Sequence, residues 1–140
     1  MAVGYSGTPL PKKLGLKDNT RLVVLNEPEE YRALLGPLPH GLEKQNTLSR
    51  STNLVHVFVT QRQELARHLA TLRSKINPEA VVWVSWPKKS SKVPSEVTED
   101  TIRELALPLG WVDIKVCAVS EVWSGLKLTV RKELRNSSEA

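Results

Sequence analysis

The sequence predicts a three-layer α/β sandwich around a mainly parallel sheet of five to six strands. Apolar runs of strand length alternate with amphipathic helical segments, and two of these runs are apolar at nearly every position, as parallel strands covered on both faces are. The last two runs are separated by too few residues for a helical crossover, which predicts an antiparallel C-terminal pair. The predicted strands lie near residues 21–26, 54–60, 80–86, 111–119 and 126–133, with a further short strand at 42–45.

The N-terminal third is predicted to hold an arm, a strand and two short helical segments. Residues 1–13 contain glycines and prolines without periodicity, which favours a flexible arm that leads into a helical turn over 12–16. RLVVLN (21–26) is the first strand. Pro28 suits the first turn of the next helix, and Gly36-Pro37 ends that helix after about two turns.

Two strand–helix units follow. After LVHVFVT (54–60), Thr60 and Gln63 resemble a capping box, and apolar residues recur at helical spacing until Asn77-Pro78. After AVVWVSW (80–86), Thr98 is predicted to cap a second amphipathic helix. Pro108 should distort the last turn of that helix and Gly110 should close it, before the strand at 111–119.

Length and composition indicate one soluble domain over residues 1–140, with a frayed tail at 136–140. A chain of 140 residues with 40% apolar and 25% charged residues can build one core. No apolar run approaches the roughly 18 residues that a membrane helix needs. The N-terminus lacks the apolar segment of a signal peptide, and the lone Cys117 cannot form an internal disulfide, so a cytoplasmic location is expected.

The basic residues do not form a predicted nucleic-acid surface. The net charge is +5 and the pI is near 9.5, but the lysines and arginines are scattered, apart from Lys88, Lys89 and Lys92. Single-strand binders usually combine a basic groove with exposed aromatic residues, whereas several of the aromatic residues here lie in apolar runs. Nucleic-acid binding is therefore expected to be weak or absent, and the sequence leaves the oligomeric state open.

No catalytic or metal-binding constellation is evident. His40, His56 and His68 lack metal-ligand spacing, and His56 is predicted to be a hydrogen-bonded core histidine. Cys117 lies in an apolar strand and is predicted to be inert core. No serine lies in a Gly-x-Ser-x-Gly turn.

The turn after the first strand argues against a nucleotide cofactor. It contains no glycine, which would let the backbone approach a cofactor closely, and Glu27, Glu29 and Glu30 crowd the start of the next helix. These charges oppose a phosphate group. S-adenosylmethionine has no phosphate and is less penalised, but the missing glycines still argue against its standard mode of binding.

The loop WVSWPKKSS (83–91) is the candidate ligand site. It follows a buried strand, and in open α/β sheets ligands bind beyond the carboxyl ends of the strands. Aromatic walls and ammonium groups suit a planar or anionic small molecule. In the alternative interpretation the tryptophans only cap the core and the lysines only keep the loop soluble. The residues predicted to converge on this pocket are Trp86, Lys88, Lys89, Trp123 and Lys127.

Several motifs resemble a bacterial family known as a domain of unknown function, number three thousand and fifty-two. They are YSGTPL, HVFVT, VSWPKKSS, VTEDTIRELALPLGWVDIKVCAV and VWSGLKL, in this order over residues 4–135. The order of elements is also similar to a class I methyltransferase fold with a shortened middle. The resemblance implies a Rossmann-like fold in a bacterial cytoplasmic protein, without an established reaction.

These observations lead to two hypotheses of function. The favoured one is a non-catalytic module that binds a small molecule, an anionic one at the 83–91 loop, or regulates a partner, and that uses no cofactor. The alternative is a methyltransferase-like enzyme that uses S-adenosylmethionine on an unknown substrate.

Overall fold

The computed structural model describes residues 8–135 and contains a six-stranded mixed sheet. The first seven residues of the predicted arm and the predicted frayed tail (136–140) lie outside the described residues. The strand order is β2-β1-β3-β4-β6-β5, in which β1 is parallel to β2 and β3, β3 is parallel to β4, and β6 is antiparallel to both β4 and β5. The strands are β1 (Arg21–Leu25), β2 (Glu43–Lys44), β3 (Leu54–Phe58), β4 (Val81–Pro87), β5 (Trp111–Ala118) and β6 (Trp123–Val130).

Five α-helices accompany the sheet. They are α1 (Leu10–Leu14), α2 (Tyr31–Leu35), α3 (Arg62–Lys75), α4 (Glu99–Ala106) and α5 (Lys132–Arg135), with single 3₁₀ turns at Lys89–Ser91 and Leu107–Leu109. The predicted three-layer α/β sandwich with an antiparallel C-terminal pair is confirmed. No helix within residues 8–135 has the length and apolar character needed to cross a membrane.

The sheet buries a separate apolar cluster on each face, because alternate side chains of a strand point to opposite sides. On one side, here called the α3–α4 face, Val55, Val57, Val82 and Val84 pack with the apolar stripes of α3 and α4. On the other, the α1–α2 face, the side chains of β1, β3 and β4 pack with α1 and α2. This second cluster includes Leu10, Leu14, Leu22, Tyr31, Leu54, Phe58 and Trp83.

Helix α3 begins one residue later than the Thr60 capping box predicts. Gln61 is the N-cap residue and makes no side-chain cap hydrogen bond. The Arg62 backbone N–H donates instead to a carboxylate oxygen of Glu96 at 3.0 Å, and the Glu96 N–H donates to the Thr60 carbonyl at 2.8 Å. The predicted capping box is therefore wrong, because the capping acceptor is Glu96, in a loop 34 residues further along the chain.

Helix α4 begins as predicted at its Thr98 cap. The Thr98 side chain accepts from the Thr101 N–H, and the Thr101 side chain accepts from the Thr98 N–H. Pro108 lies in the 3₁₀ turn that ends the helix, and Gly110 follows with φ 100°.

Several element boundaries differ from the sequence prediction, and α1 begins at Leu10, inside the predicted flexible arm. Strand β6 begins at Trp123 rather than at 126, because Ser120 Oγ accepts from the N–H groups of Val122 and Trp123 and so closes a tight turn before the strand. It ends at Val130, and residues 132–135 are helical. Pro28 precedes α2, because its carbonyl accepts from Tyr31 N–H at the helix start.

The edge strand β5 is only partly covered. It carries a register shift between Asp113 and Lys115, and Ile114 and Val116 are 51% and 47% exposed. Cys117 is half-buried on this strand and packs against the cluster on the α1–α2 face, so its predicted place in the core is met in part.

Candidate functional site

The carboxyl ends of β1, β3 and β4 lie along one edge of the sheet, here called the carboxyl edge. Because β4 and β5 are both antiparallel to β6, β5 runs parallel to β4 and its following turn reaches the same edge. The edge is built from the turn after β1, the end of β3, the loop after β4, and residues 119–122. Ligands of open α/β sheets bind at such edges.

The turn after β1 takes a left-handed conformation without glycine. Asn26 has φ 58°, and its side-chain Nδ2 donates to the Phe58 carbonyl at 3.0 Å. Asparagine is one of the few residues other than glycine that enter this region readily. The hydrogen bond ties the ends of β1 and β3 together.

The same turn is acidic and is linked to β2. Glu27 forms a salt bridge with Lys44, and the two side chains are 32% and 38% exposed. Glu29 and Glu30 are exposed beside it. The carboxylate of Glu27 is thus accessible at the carboxyl edge, with one lysine as its partner.

A buried hydrogen-bonded network lies beneath this turn. Tyr31 OH is 2.9 Å from His56 Nδ1, and His56 Nε2 is 2.7 Å from Ser85 Oγ. Burial lowers the pKa of His56 to about 3, so the ring is neutral, and burial together with the charge of Glu27 raises the pKa of Tyr31. The predicted hydrogen-bonded core histidine is confirmed; the network joins α2, β3 and β4.

A row of aromatic rings runs from this network to the carboxyl edge. The His56 and Phe58 rings are stacked with centroids 4.3 Å apart, and Phe58 meets Trp123 in a T-shaped contact at 5.0 Å. Among the described residues, the buried Nε1 of Trp123 has no hydrogen-bond partner. A buried donor without a partner is costly, which favours an acceptor next to it.

Three of the predicted site residues lie close together at this edge. Pro87 is the cross-strand neighbour of Trp123, and the Lys88 N–H donates to the Val122 carbonyl at 2.7 Å. Lys89 follows in an exposed 3₁₀ turn. The structure therefore brings Lys88, Lys89 and Trp123 to one region.

The other two predicted site residues lie elsewhere. Trp86 belongs to the cluster on the α3–α4 face, whereas Trp123 packs against the cluster on the α1–α2 face. Lys127 is four residues along β6 from Trp123, roughly 13 Å away, between Trp83 and Lys115 on the neighbouring strands. A single pocket lined by all five side chains does not form, because strand alternation and strand length separate them.

Sequence reasoning did not include Asn26, Glu27 or Lys44 among the candidate site residues. The missing glycine was taken as an argument against close approach of the backbone to a cofactor, whereas Asn26 gives the turn a left-handed conformation without glycine. An asparagine directly after a predicted strand was the available signal. The approach of Lys44 to Glu27 depends on the parallel pairing of β1 with β2, which local sequence does not show.

An open cleft of about 450 Å³ lies at the same edge, between the end of β3 and the loop that leads to α4. It offers space for a small molecule next to the strand ends. Its lining residues are Thr60, Gln61, Pro94, Ser95 and Glu96.

Comparison with known proteins shows the fold. No family model and no curated protein matches the chain, so the resemblance to the domain of unknown function stays a prediction. An S-adenosylmethionine-dependent methyltransferase from Aquifex aeolicus is 13% identical with TM-score 0.64, over 86% of this chain and 87% of that one. Aeropyrum pernix fibrillarin with natively bound S-adenosyl-L-methionine is 13% identical with TM-score 0.56, over 90% and 70%. A putative type 11 methyltransferase from Sulfolobus solfataricus is 9% identical with TM-score 0.57, over 88% and 90%. The chain therefore has a methyltransferase-like, Rossmann-type α/β fold.

Proposed function

We propose that the protein is a methyltransferase-like protein that binds S-adenosylmethionine at the carboxyl edge, beside the turn after β1. The observation that carries the proposal is the match over most of both chains to an S-adenosylmethionine-dependent methyltransferase. Local chemistry at Glu27, Asn26 and Trp123 supports it.

The charge of the turn suits this ligand. S-adenosylmethionine carries a sulfonium and an ammonium group against one carboxylate, so it is a net cation. Glu27, Glu29 and Glu30 attract a cation and repel a pyrophosphate. The carboxylates that exclude dinucleotides thus favour an adenosyl sulfonium, and Glu27 would accept from its ammonium or hydroxyl groups.

The backbone of the turn after β1 and the indole N–H of Trp123 also suit S-adenosylmethionine. Asn26 gives the turn the conformation that glycine usually supplies. Trp123 Nε1 has no partner within residues 8–135 and would donate to an acceptor of the ligand. When bound, the cofactor supplies an activated methyl group for transfer to a nucleophile.

The Glu27–Lys44 salt bridge competes with the ligand for Glu27. The pair is partly exposed, and such pairs contribute only about 0–1 kcal/mol. Ligand binding can therefore open it at small cost, and removal of Lys44 should leave Glu27 free for the ligand.

Calorimetric titration of purified protein with S-adenosylmethionine tests the proposal. We expect binding, weaker binding of S-adenosylhomocysteine, whose thioether lacks the sulfonium charge, and no binding of NAD. Glu27→Gln should weaken S-adenosylmethionine binding by about tenfold, and Lys44→Met should strengthen it. Glu133→Gln and Lys75→Met are matched controls, on α5 and at the end of α3. No binding at millimolar ligand, or equal loss in Glu27→Gln and Glu133→Gln, contradicts the proposal.

A non-catalytic regulatory module is the second candidate. It is favoured by the turn itself, because Asn26 and Glu27 are already bonded within the protein, to Phe58 and Lys44. Incubation with methyl-labelled S-adenosylmethionine and cell extract separates the two. Label transferred to any acceptor above the level given by Glu27→Gln supports the enzyme, whereas binding without transfer supports the module.

The anionic ligand predicted for the loop after β4 belongs to the second candidate. Lys88 and Lys89 stand at the carboxyl edge close to Trp123. If this loop binds an anion, the double variant Lys88→Ala, Lys89→Ala should lose it while S-adenosylmethionine binding persists. If the double variant binds the anion with unchanged affinity, the loop is only a solvated turn without a role in binding.

A further inference from the structure

A second group of charged side chains lies on the α1–α2 face, away from the carboxyl edge. Lys127 of β6 and Lys115 of β5 are direct cross-strand neighbours and therefore share one face of the sheet. Lys115 is exposed and Lys127 is half-buried. Lys17 follows α1, and burial together with Lys115 and Lys17 lowers the pKa of Lys127. We call Lys17, Lys115 and Lys127 the lysine cluster.

Within the described part of the chain, the lysine cluster forms no salt bridge that would neutralise its charge. The salt bridges found between residues 8 and 135 involve other basic residues, and none includes a member of the cluster. Like charges directly opposite each other on neighbouring strands are destabilising. The native state therefore retains a repulsion that an anion would relieve.

A hydroxyl group without a partner adjoins the cluster. Thr129 lies two residues beyond Lys127, on the same face, and is the cross-strand neighbour of Val81 and Val112. Its Oγ1 is buried and has no hydrogen-bond partner among the residues that the structure describes. A buried hydroxyl normally bonds to protein or to a bound molecule.

A cavity of about 290 Å³ lies at the edge of the sheet where β1, β3 and β4 begin. Val81, the neighbour of Thr129, is one of its walls, and Lys17 is another. Asp18 also lines it and contributes a single opposing charge. The remaining walls are Gly15, Asn19, Thr20, Asn53 and Leu54.

We propose that the lysine cluster, Thr129 and this cavity form a binding site for a small anion that carries a diphosphate or triphosphate group. Three ammonium groups call for a multiply charged anion, and lysine binds phosphate as a point charge. The Thr129 hydroxyl would donate to a further phosphate oxygen, which requires the side chains that cover it to shift. The site lies at the opposite end of the strands from the carboxyl edge, so it does not depend on the function proposed there.

The size of the site favours a small molecule over a nucleic acid. The cavity is at the lower end of the range for ligand pockets. Phosphate-tracking surfaces need a longer basic groove with stacking aromatic residues, and the tryptophan next to the cluster, Trp83, is fully buried with its Nε1 bonded to the Leu14 carbonyl. The cluster therefore suits a short diphosphate or triphosphate group rather than a polynucleotide backbone.

Titration calorimetry with inorganic triphosphate at low and at physiological salt tests the site. We expect binding to the wild type that weakens with salt, and a loss of about tenfold or more in Lys127→Met and in Lys115→Met. Lys75→Met, a single lysine outside the cluster, and the double variant Lys88→Met, Lys89→Met at the carboxyl edge should bind as the wild type does. Thr129→Val should bind more weakly without loss of thermal stability.

Thermal unfolding provides a second readout that does not depend on an enthalpy signal. Triphosphate should raise the Tm of the wild type but not that of Lys127→Met, whose own Tm without ligand should be equal or higher because the repulsion is gone. If ATP binds with the same affinity as triphosphate, the contacts are made to the phosphate groups. If ATP binds more tightly, the nucleoside also contacts the protein. Undiminished affinity in Lys127→Met, no triphosphate binding at millimolar concentration, or tight oligonucleotide binding without triphosphate binding overturns the proposal.

Discussion

At the scale of single residues, His56 shows how the interior fixes a protonation state. The imidazole is fully buried between a tyrosine hydroxyl and a serine hydroxyl, 2.9 and 2.7 Å away. Either partner can donate or accept, so a neutral ring satisfies both bonds. No carboxylate appears among these partners, and a protonated ring would hold an uncompensated buried charge.

His56 is therefore expected to make the free energy of unfolding depend on pH in the acid range. Its pKa is about 3 in the folded protein against 6.5 ordinarily, so between these values the unfolded chain binds the proton and the folded chain does not. Stability is fully present above pH 6.5 and falls as pH drops, by at most about 1.4 kcal/mol for each pH unit.

Urea unfolding of His56→Gln from pH 4 to 7 checks this expectation. Glutamine keeps a donor and an acceptor but does not titrate in this range, so its stability should decline less steeply below neutral pH than that of the wild type. His40→Gln, a change at an exposed histidine, is the control. Parallel curves for wild type and His56→Gln would contradict the assignment.

At the scale of elements, the two long helices differ in how far along the sequence their N-terminal capping residues lie. Helix α4 is capped by the reciprocal bonds of Thr98 and Thr101, three residues apart. Helix α3 takes its cap from Glu96, in a loop after the next strand. The first arrangement was visible in the sequence, and the second exists only once β3 and β4 pair.

Loss of the local cap should destabilise the protein measurably. Thr98→Ala removes the acceptor for the Thr101 N–H, and we expect a cost of about 1 kcal/mol in the free energy of unfolding. Thr98→Ser keeps the hydroxyl and should stay close to the wild type. Chemical denaturation measures both, and an alanine variant as stable as the serine variant would show that the cap contributes nothing.

The same distinction explains what the sequence could predict. The strands near 54–60 and 80–86, the helix after each and the antiparallel closing pair follow from periodicity and spacing, which act over a few residues. The separation of Trp86 from Trp123 follows from which side of the sheet each strand presents, and the Glu27–Lys44 pair follows from the pairing of β1 with β2. Local patterns do not contain these long-range relations.

At the scale of the whole molecule, the sheet has a protected centre and two different edges. Strands β3 and β4 are paired on both sides and buried at nearly every position. Strand β2 has only two residues, and β5 is paired on one side with exposed apolar residues. Opening of the sheet should therefore begin at the edges.

Hydrogen exchange should reproduce this order. We expect the slowest amide exchange in β3 and β4, and faster exchange in β2 and on the unpaired side of β5. Peptide-resolved mass spectrometry at neutral pH gives the comparison. Equal protection of β2 and β3 would mean that the sheet opens only as a unit.

The strand order has a further consequence for synthesis on the ribosome. Strand β6 lies between β4 and β5, although it follows β5 in the chain. Until residues 123–130 have emerged, β5 has no neighbour to pair with and one side of β4 is open, so a nascent chain with only residues 1–122 outside the ribosome presents an apolar strand edge of the kind that associates between molecules. We therefore expect the nascent chain to bind chaperones mainly during the interval before β6 becomes available for pairing. Nascent chains stalled with only residues 1–122 outside the exit tunnel should crosslink to holdase chaperones, and this contact should be lost once β6 has also cleared the tunnel.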